Sequence, residues 1–441
     1  MHYQNLQLTN NPQKGTPVNK EKPEKTNAAT IFFEEMRKRI TSRNEKRSTW
    51  QSLLIPFLAI ITGLIFGAIF NVITNVDVYT AFKTSFIDGL ALAWKTVAVS
   101  YSALFKGAVG DPRFIIEALR SGDKVIITRA FYPITESLVA TTPYIFAGLA
   151  VALGFKAGVF NIGAEGQIFI GAATSVFVGY YFTGLPAYIH IPFALLAGAV
   201  GGGLWGFIPG WLKAKTGGHE VINTIMMNYI AFLLSDWLLR GPLRRPDTYQ
   251  SVSPAIQKSA ELPRFFPDPI RFHAGFFIAV GFIILVYIFM FKTTWGFNLR
   301  MVGVNPNAAK YAGINVGQNI ILAMTLSGAL AGMAGAIEVL GVNHALFGAI
   351  SSGYGFDSIA LALLGNNNPI GVGFAALLFG TLTNGATKMQ MDARIPVEII
   401  SIIQAIILMF IAAPAIIRTI YRLKEPKEQD QLLAASNLGG N

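Results

Sequence analysis

Acids and amides that lie inside or beside long apolar runs are the residues of this chain whose types could do chemistry. Residues 158–167 (GVFNIGAEGQ) place Asn161, Glu165 and Gln167 at the start of one such run. The four-residue spacing predicts that Asn161 and Glu165 share one face of a helix. Such groups are costly in a membrane unless they pair or face water. They therefore either line a path for a polar solute or hydrogen-bond between helices, and both interpretations stay open here.

The same reasoning applies to polar residues in two later apolar runs. Asn223 and Asn228 lie in the run near 221–239, and Asp357 lies in a short run near 356–365. If these runs cross a membrane, each polar side chain needs a partner or a wet cavity. Six residues are therefore our candidates for a substrate path: Asn161, Glu165, Gln167, Asn223, Asn228 and Asp357.

The sequence has no pattern that indicates a metal site, a nucleotide-binding loop or a catalytic group. The chain has no cysteine, so disulfides and thiolate metal sites are excluded. The histidines are scattered, without metal-ligand spacing: His2, His190, His219, His273 and His344. The chain has no G-x-x-x-x-G-K-[ST] phosphate loop and no pattern that indicates a catalytic triad or carboxylate pair. We therefore predict no catalytic residue, no metal site and no cofactor in this chain, which is then not an enzyme.

Composition indicates where these residues lie. Of the 441 residues, 52% are hydrophobic and only 13% are charged, and the mean hydropathy is +0.48. Soluble domains carry about 25% charged residues, so this chain is predicted to be an integral membrane protein whose surface contacts lipid. Its net charge of +11 comes from basic residues beside apolar runs. Such residues set orientation in the membrane, so we predict no nucleic-acid partner.

The apolar runs predict an all-α membrane protein with about ten transmembrane helices in a compact bundle. Nine runs are candidates for spans: 53–73, 139–155, 160–182, 188–212, 221–239, 273–291, 320–341, 369–387 and 396–415. Most approach the roughly 20 residues that a bilayer needs. The shorter run 356–365 is either a tilted tenth helix or a re-entrant segment packed within protein. Lys and Arg concentrate at both ends and in the intervening short loops, which favours both termini inside the cell.

This pattern divides the chain into five segments. Residues 1–50 form a polar cytoplasmic tail, in which a helix on the inner leaflet over 31–40 and an unstructured tail are both open alternatives. The remaining segments are a first span (51–74), an outer region with short interfacial helices (75–135), a membrane-embedded core (136–415) and a cytoplasmic tail (416–441). An additional span near 86–105 remains an alternative. The prolines of 240–272 predict an extended outer loop.

Two spans carry small residues at helical spacing. Gly198, Gly202, Gly206 and Gly210 follow each other in steps of four, and Gly328, Gly332 and Ala336 do the same in a later span. Small residues allow helix backbones to approach closely in lipid. These ladders predict tight helix–helix packing.

A short helix is predicted between the sixth and seventh spans, within residues 297–315. Asn305 suits the N-cap, Pro306 the first helical position, and Gly313 the position just after the helix. Alanines give this helix a small, flat face. A short, capped helix outside the membrane is typical of a docking element for another protein.

Several motifs in order resemble those of a known family. They are GVFNIGAEGQ, GGHEVINTIMMNYIA, LRMVGVNPNAAKYAGINV, LSGALAGMAGAIEVLG and SSGYGFDSIALALLGNNNP. They resemble the permease subunits of ABC importers in the branched-chain amino acid and ribose permease superfamily, particularly those for nucleosides. The resemblance extends over about 139–415.

The resemblance implies a transport role with several partners. Such a permease works with ATP-binding subunits that hold ATP and Mg, a second and often different permease subunit, and an extracellular substrate-binding lipoprotein. The segment from Asn161 to Gln167 would belong to the central path. The coupling helix that contacts the ATPase would include Asn305, Pro306, Ala309, Gly313 and Ile314. The protein would lie in the bacterial plasma membrane.

We therefore expect the permease subunit of an ABC importer for nucleosides. An ABC permease for a sugar or branched-chain amino acid is one alternative, because a separate receptor would choose the solute. An ion-coupled secondary transporter is another, with Glu338 and Asp357 as candidate ion-binding groups. A membrane scaffold or receptor that moves nothing is a third, although the polar-lined spans count against it.

Overall fold

The computed structural model describes residues 49–348, 350–393 and 398–423. Nearly all of the predicted N-terminal tail, with its interfacial helix, lies outside the described residues. So does the end of the predicted C-terminal tail, residues 424–441.

The regular structure of the described residues is helical. The first eight helices are α1 Thr49–Thr74, α2 Val76–Thr84, α3 Phe86–Val109, α4 Pro112–Ser121, α5 Lys124–Lys156, α6 Ala164–Tyr181, α7 Ala187–Thr216 and α8 Glu220–Arg240. The next eight are α9 Gly275–Lys292, α10 Thr294–Val304, α11 Pro306–Tyr311, α12 Val316–Glu338, α13 Tyr354–Leu364, α14 Pro369–Ala393, α15 Glu398–Ala412 and α16 Pro414–Ile420. A π-helical turn, Val339–Asn343, extends α12.

In the described part of the chain, seven helices are long and apolar enough to cross a bilayer. They are α1 from Phe57 onward, α5, α7, α8, α9, α12 with its π turn, and α14. The other predicted spans correspond to α6, which has 18 residues but is not among these seven helices, and to the shorter helices α13 and α15. The all-α, multi-pass membrane fold is therefore confirmed. The number of ten spans and the inside orientation of both termini stay predictions.

Polar side chains at the helix starts explain several boundaries. Asn75 Oδ1 accepts the Asp77 N–H at 3.0 Å before α2, and Asp123 Oδ1 accepts the Val125 N–H at 2.8 Å before α5. Asn315 Oδ1 likewise accepts the Gln318 N–H at 3.1 Å before α12. Each bond satisfies an amide that the first helical turn leaves without a partner.

The region 75–135 is more helical than the sequence suggested. It contains α2, α3, α4 and the start of α5, so the predicted boundary at residue 135 lies inside a helix. α3 has 24 residues, or about 36 Å, and packs in the bundle rather than lying apart from it. Ser137 Oγ donates to the Ala108 carbonyl at 2.7 Å, and Asn384 Nδ2 donates to the Gly107 carbonyl at 3.0 Å. α3 thus corresponds to the alternative helix near 86–105, whose length three charged residues masked in the sequence, and the place of this region relative to the membrane stays a prediction.

The glycine ladders of α7 and α12 lie against each other, which is a case of the tight helix–helix packing that they predicted. A Cβ added at Gly202 would stand 2.6 Å from Gly332 Cα, and one at Gly198 would stand 2.6 Å from Ala336 Cβ. Gly171 of α6 makes an equally close contact with the Gly332 backbone. We call these three helices, α6, α7 and α12, the glycine block. Its backbones approach so closely because no side chains separate them.

Residues 241–274 form an extended segment, as the prolines predicted, with one 3₁₀ turn at Lys258–Ala260. Backbone hydrogen bonds attach this segment to the connection between α12 and α13. Ser253 N–H donates to the Leu346 carbonyl at 2.9 Å, and Leu262 N–H donates to the Leu340 carbonyl at 2.8 Å. This attachment holds the approach to α13 in place.

Candidate functional site

Four of the buried polar side chains form one group, which we call the amide cluster: Asn161, Gln167, Asn228 and Ser327. Asn161 and Gln167 exchange two hydrogen bonds, at 2.8 and 3.1 Å. Asn161 Nδ2 also donates to Ser327 Oγ at 2.8 Å, and the Ser327 hydroxyl donates to the Ala150 carbonyl at 2.6 Å. These bonds join α5, α6 and α12 and satisfy groups that lipid could not.

Asn228 of α8 completes this cluster from the other side of α6. Its Nδ2 donates to the Ile162 carbonyl at 2.9 Å, and its Oδ1 accepts the Gly166 N–H at 2.9 Å. The side chain thus pairs with two backbone groups at the start of α6, an end where amides lack helical partners. Asn161, Gln167 and Asn228 are each at most 2% exposed, so in this structure they form a hydrogen-bonded joint and not an open lining.

The predicted helix face of Asn161 and Glu165 is wrong. α6 begins at Ala164, so Asn161 precedes the helix, and its Oδ1 accepts the Gly163 N–H at 3.1 Å. Gly158, with φ +73°, and Gly163 let the chain turn into α6. Asn161 therefore faces Gln167, while Glu165 points elsewhere.

A second polar group lies around the start of α13. Tyr144 of α5 donates its hydroxyl proton to Asp357 Oδ2 at 3.0 Å, and Thr383 Oγ1 of α14 lies 3.5 Å from that hydroxyl. Gln404 of α15 donates to Thr383 Oγ1 at 3.4 Å. We call Tyr144, Asp357, Thr383 and Gln404 the Tyr–Asp cluster. All except Tyr144 are half-buried, so part of each of these three side chains is accessible at the surface of the described residues.

Glu165 of α6 contacts the start of α13. Its Oε2 accepts the Gly355 N–H at 2.7 Å in the first turn of α13. Gly353, with φ +93°, turns the chain into this helix, and a carboxylate at a helix N-terminus is electrostatically favourable. Glu165 and Asp357 thus both lie at the start of a helix of 11 residues, about 16 Å. A helix this short cannot cross a bilayer alone, and discontinuous helices are where transporters commonly bind solutes.

Aromatic rings stand beside the Tyr–Asp cluster. The ring centroids of Tyr144 and Tyr354 are 4.9 Å apart in an edge-to-face arrangement, and Phe379 lies 6.2 Å from Tyr144. Aromatic faces next to a carboxylate and a hydroxyl can hold a molecule that has both a flat ring and hydroxyl groups.

The sequence missed most of this cluster. Tyr144, Thr383 and Gln404 lie inside apolar runs and outside the motifs quoted above, and the neighbouring Tyr354 lies in one of those motifs but was not a candidate. The polar residues in the run 369–387 were the available signal, but nothing in one sequence places them opposite Asp357. Asn223, by contrast, was predicted for the path. It lies in the first turn of α8 and faces Gly218, so the structure does not bring it to either cluster.

The predicted helix after α10 is present, with the predicted caps. α11 spans Pro306–Tyr311, and Asn305 Oδ1 accepts the Asn307 and Ala308 N–H groups at 3.0 and 3.1 Å. Gly313 has φ +81°. The Gly313 and Ile314 N–H groups bond back to the Lys310 and Ala309 carbonyls, each at 3.0 Å, which is a Schellman ending. Ala309 is buried and Tyr311 is 95% exposed. The contact with an ATPase stays a prediction.

A charged contact lies near the extended segment 241–274. Arg271 Nε donates to Glu136 Oε2 of α5 at 3.1 Å, and the hydrogen bonds from this guanidinium to Glu136 raise the pKa of Arg271. His273 is buried nearby, and its Nδ1 accepts the Gly275 N–H at 3.1 Å. Burial, with the positive charges of Arg264, His344 and Arg271, lowers the pKa of His273 to about 4. The described residues contain no group of three or more His, Asp or Glu side chains that could hold a metal ion.

Comparisons with known proteins match most of this chain. A family model described as "Branched-chain amino acid transport system / permease component" matches residues 134–412. The guanosine ABC transporter permease protein NupP of Bacillus subtilis is 40% identical over 371 residues, covering 83% of this chain and 94% of the relative. No solved structure matches the chain.

Two further relatives carry different solutes in their names. The glucose ABC transporter permease protein TsgB13 of Haloferax volcanii is 36% identical over 64% of this chain and 76% of its own length. The nucleoside ABC transporter permease protein NupB of Lactococcus lactis is 33% identical over 83% of this chain and 92% of its own length.

Proposed function

The chain belongs to the family of branched-chain amino acid transport system permease components, and from this we propose that it is the permease subunit of an ABC importer for nucleosides. The observation that carries the solute class is the likeness to NupP, which extends over almost the whole of that relative. The second nucleoside relative covers a similar share of the chain. The family description alone does not fix the solute, since the relatives' names include both guanosine and glucose.

The Tyr–Asp cluster is our candidate for the place where solute passes. The Tyr144 and Tyr354 rings offer aromatic faces and edges to a base, and the Asp357 carboxylate can accept hydrogen bonds from ribose hydroxyls. A nucleoside is neutral, so the path needs no additional buried charge to balance it. The amide cluster then supports the path by holding α6 in place, and does not line it.

A conformational change in the ATP-binding subunits would be transmitted to this chain through α10 and α11. A Cβ at Gly158 would stand 2.8 Å from Gly303 Cα, so the end of α10 lies directly against the loop that leads to Asn161. α11 leads into α12, which packs in the glycine block and continues through its π turn towards α13. A push on α11 can thus reach both polar clusters through contacts between rigid elements.

This role requires partners. We propose that separate ATP-binding subunits hold ATP and Mg and dock on α11, that a second permease subunit completes the path, and that an extracellular lipoprotein delivers the solute. No catalytic step then falls to this chain. The names of the relatives as permease proteins of ABC transporters support the ATP-binding subunits. The second permease subunit is supported by two different guanosine ABC transporter permease proteins of Bacillus subtilis that both resemble this chain.

Uptake of labelled guanosine tests the solute. We expect a strain without this gene to lose most ATP-dependent uptake and to recover it when the gene is restored. Excess unlabelled adenosine or uridine should compete, whereas excess glucose or leucine should not. Undiminished guanosine uptake in the deletion strain, together with lost glucose or leucine uptake, would select the sugar or amino acid alternative.

Reconstitution separates the ABC permease from an ion-coupled transporter. Vesicles that contain the chain with the second permease subunit and the ATP-binding subunits, supplied with the lipoprotein, should take up guanosine only when ATP is present. Uptake by the chain alone, driven by a proton or sodium gradient, would contradict the proposal.

A glycine pair tests the coupling role of α11. Gly313 and Gly184 both have φ +81°, and a Cβ at either position would meet nothing within 4 Å. Valine at each should therefore cause similar backbone strain, about 1 kcal/mol or more. We expect Gly313→Val to lower the stimulated ATPase activity of the reconstituted complex while Gly184→Val leaves it unchanged. Equal activities in the two variants would remove the case for docking on α11.

A further inference from the structure

A groove that opens on the outer surface of the helix bundle runs along one face of α12. At the end near α10 it is a cavity of about 510 Å³ lined by Thr294, Trp295, Asn298, Gln318 and residues that follow on α12. Farther along α12 it is a cavity of about 430 Å³ whose lining is entirely apolar. Neither cavity includes a residue of the amide cluster or the Tyr–Asp cluster.

The two cavities follow each other along α12. On α12 the first cavity ends at Leu322 and Thr325, and the second begins at Leu326. Leu322 and Leu326 are four residues apart and therefore lie on the same helix face. On the opposite wall the apolar cavity ends at Phe289, whose carbonyl accepts the Thr293 hydroxyl at 2.6 Å, next to the residues that line the polar cavity. The groove thus has a polar end and a long apolar remainder.

The dimensions of the groove match one leaflet of a membrane. From Gln318 to Met333, α12 rises about 22 Å at 1.5 Å per residue. Half of a bilayer, with its headgroup region, measures about 20–22 Å. The polar end also has residues that are typical of the depth of lipid headgroups. Trp295 is 61% exposed, and the exposed Lys292 lies three residues before it.

From this arrangement we propose that the groove binds one phospholipid from the leaflet on the side of residues 293–315. An acyl chain lies between α9 and α12, against Leu285, Phe289, Ala329 and Leu330. The phosphate and glycerol oxygens accept hydrogen bonds from the Asn298 and Gln318 amides, and Lys292 supplies a positive charge nearby. A helix from another subunit would fit less well, since its side chains would have to change from polar to apolar at the same depth as the lining of the groove.

The lipid would have a mechanical consequence. It would bridge α10, which precedes α11, to α9 and α12 in the bundle. Its presence would therefore stiffen the connection through which we propose that α11 acts.

Retention of lipid by the purified full-length chain tests this inference. After extraction in mild detergent and extensive washing, native mass spectrometry should find one phospholipid bound to the wild-type chain. Ala329→Phe fills the apolar part of the groove and should lower retention about tenfold, the loss expected for about two displaced methylenes. Gly281→Leu is the matched control, because Gly281 of α9 has open space around it and lies outside the groove. Equal retention in all three proteins would overturn the proposal.

Two further measurements keep the test informative if Ala329→Phe fails to fold. A photoactivatable phosphatidylglycerol should label peptides of α9, α10 and α12 in the wild-type chain, and Asn298→Leu should reduce that labelling. Labelling spread evenly over all spans would contradict a defined site. Because the chain has no cysteine, Leu285→Cys also gives a unique thiol. If this thiol crosslinks to the second permease subunit in the complex, protein and not lipid covers the groove, and the proposal fails.

Discussion

The amide cluster and the Tyr–Asp cluster are both polar groups within one apolar bundle, yet their surroundings differ. Each side-chain nitrogen and oxygen of Asn161 and Gln167 takes part in at least one hydrogen bond, at 2.8–3.1 Å, inside the glycine block. Asp357, Thr383 and Gln404 are only half-buried. Thr383 Oγ1 is farther from its neighbours, since it accepts from Gln404 Nε2 at 3.4 Å and lies 3.5 Å from the Tyr144 hydroxyl. Polar side chains inside a membrane protein can therefore either join helices or remain available to a solute. The length and number of their hydrogen bonds distinguish the two cases.

The contrast extends to the helices that hold each cluster. The amide cluster is held by long helices whose backbones touch, so it has little freedom to rearrange. The Tyr–Asp cluster depends on α13, which has only 11 residues and follows a connection held by the segment 241–274. Changes in the first region should therefore act on folding, and changes in the second should act on transport.

The largest expected effect comes from a substitution in the glycine block. A side chain at Gly332 would enter the backbone of α7, since a Cβ there would stand 2.9 Å from Gly202 Cα and closer still to the Gly198 carbonyl. We expect Gly332→Leu to lower the free energy of unfolding by about 5 kcal/mol, which should remove most folded protein from the membrane. Monodisperse yield and thermal unfolding in detergent measure this. Gly281→Leu, where nothing lies within 4 Å, should give normal protein, and equal losses in both variants would contradict the packing argument.

The packing of this block was predictable from sequence, because a ladder of glycines in steps of four has one strong physical meaning in lipid. The caps of α11 were predictable for a similar reason: Asn305, Pro306 and Gly313 each meet a local backbone requirement. The hydrogen-bond partners of Asn161 could not be predicted. They depend on the start of α6, which lies at Ala164, three residues after Asn161. The Tyr–Asp cluster was least accessible, because Tyr144, Asp357 and Thr383 are more than 200 residues apart at the extremes and meet only through tertiary packing.

A substitution in the amide cluster should have the next largest effect. Asn161→Leu would leave Gln167, Ser327 and the Gly163 N–H without their partner in a region that water does not reach. Each lost partner costs about 1–3 kcal/mol, so we expect a decrease of about 4 kcal/mol in the free energy of unfolding. Asn223→Leu is the matched control and should change the unfolding free energy by less than about 0.5 kcal/mol. If Asn161→Leu folds normally but loses guanosine uptake, Asn161 lines the path after all.

The turn after α12, which leads towards α13, should make the stability of the protein depend on pH. His273 packs against Gly341, in the turn after α12, and its pKa is lowered from 6.5 to about 4. The folded protein therefore holds this ring neutral, while the unfolded chain takes up a proton near pH 6.5. The contribution of His273 to the free energy of unfolding is therefore fully present above pH 6.5. It decreases as the pH falls from 6.5 towards 4, by about 3 kcal/mol in total. Thermal unfolding of the wild-type chain across this range measures it.

His273→Asn is the control for this pH effect. An asparagine oxygen can still accept the Gly275 N–H, whereas the side chain does not titrate. We expect the variant to lose less stability than the wild-type chain between pH 6.5 and 4. Parallel pH profiles for the two proteins would show that another group is responsible.

The smallest effect on folding, and the sharpest test of the comparison, should come from Asp357→Asn. The amide keeps the size of the carboxylate, and its oxygen can still accept the Tyr144 hydroxyl proton, so we expect the unfolding free energy to change by less than about 1 kcal/mol. A charge-assisted hydrogen bond to solute would be lost, however, and such bonds contribute about 1.5–3 kcal/mol, so guanosine uptake should fall about tenfold or more. Tyr144→Phe should reduce uptake less, because it removes a hydroxyl but keeps the aromatic face. Uptake in membranes, normalised to folded protein, measures both. If Asp357→Asn instead loses folded protein while the folded fraction transports normally, the Tyr–Asp cluster has a structural role. Its distinction from the amide cluster would then be contradicted.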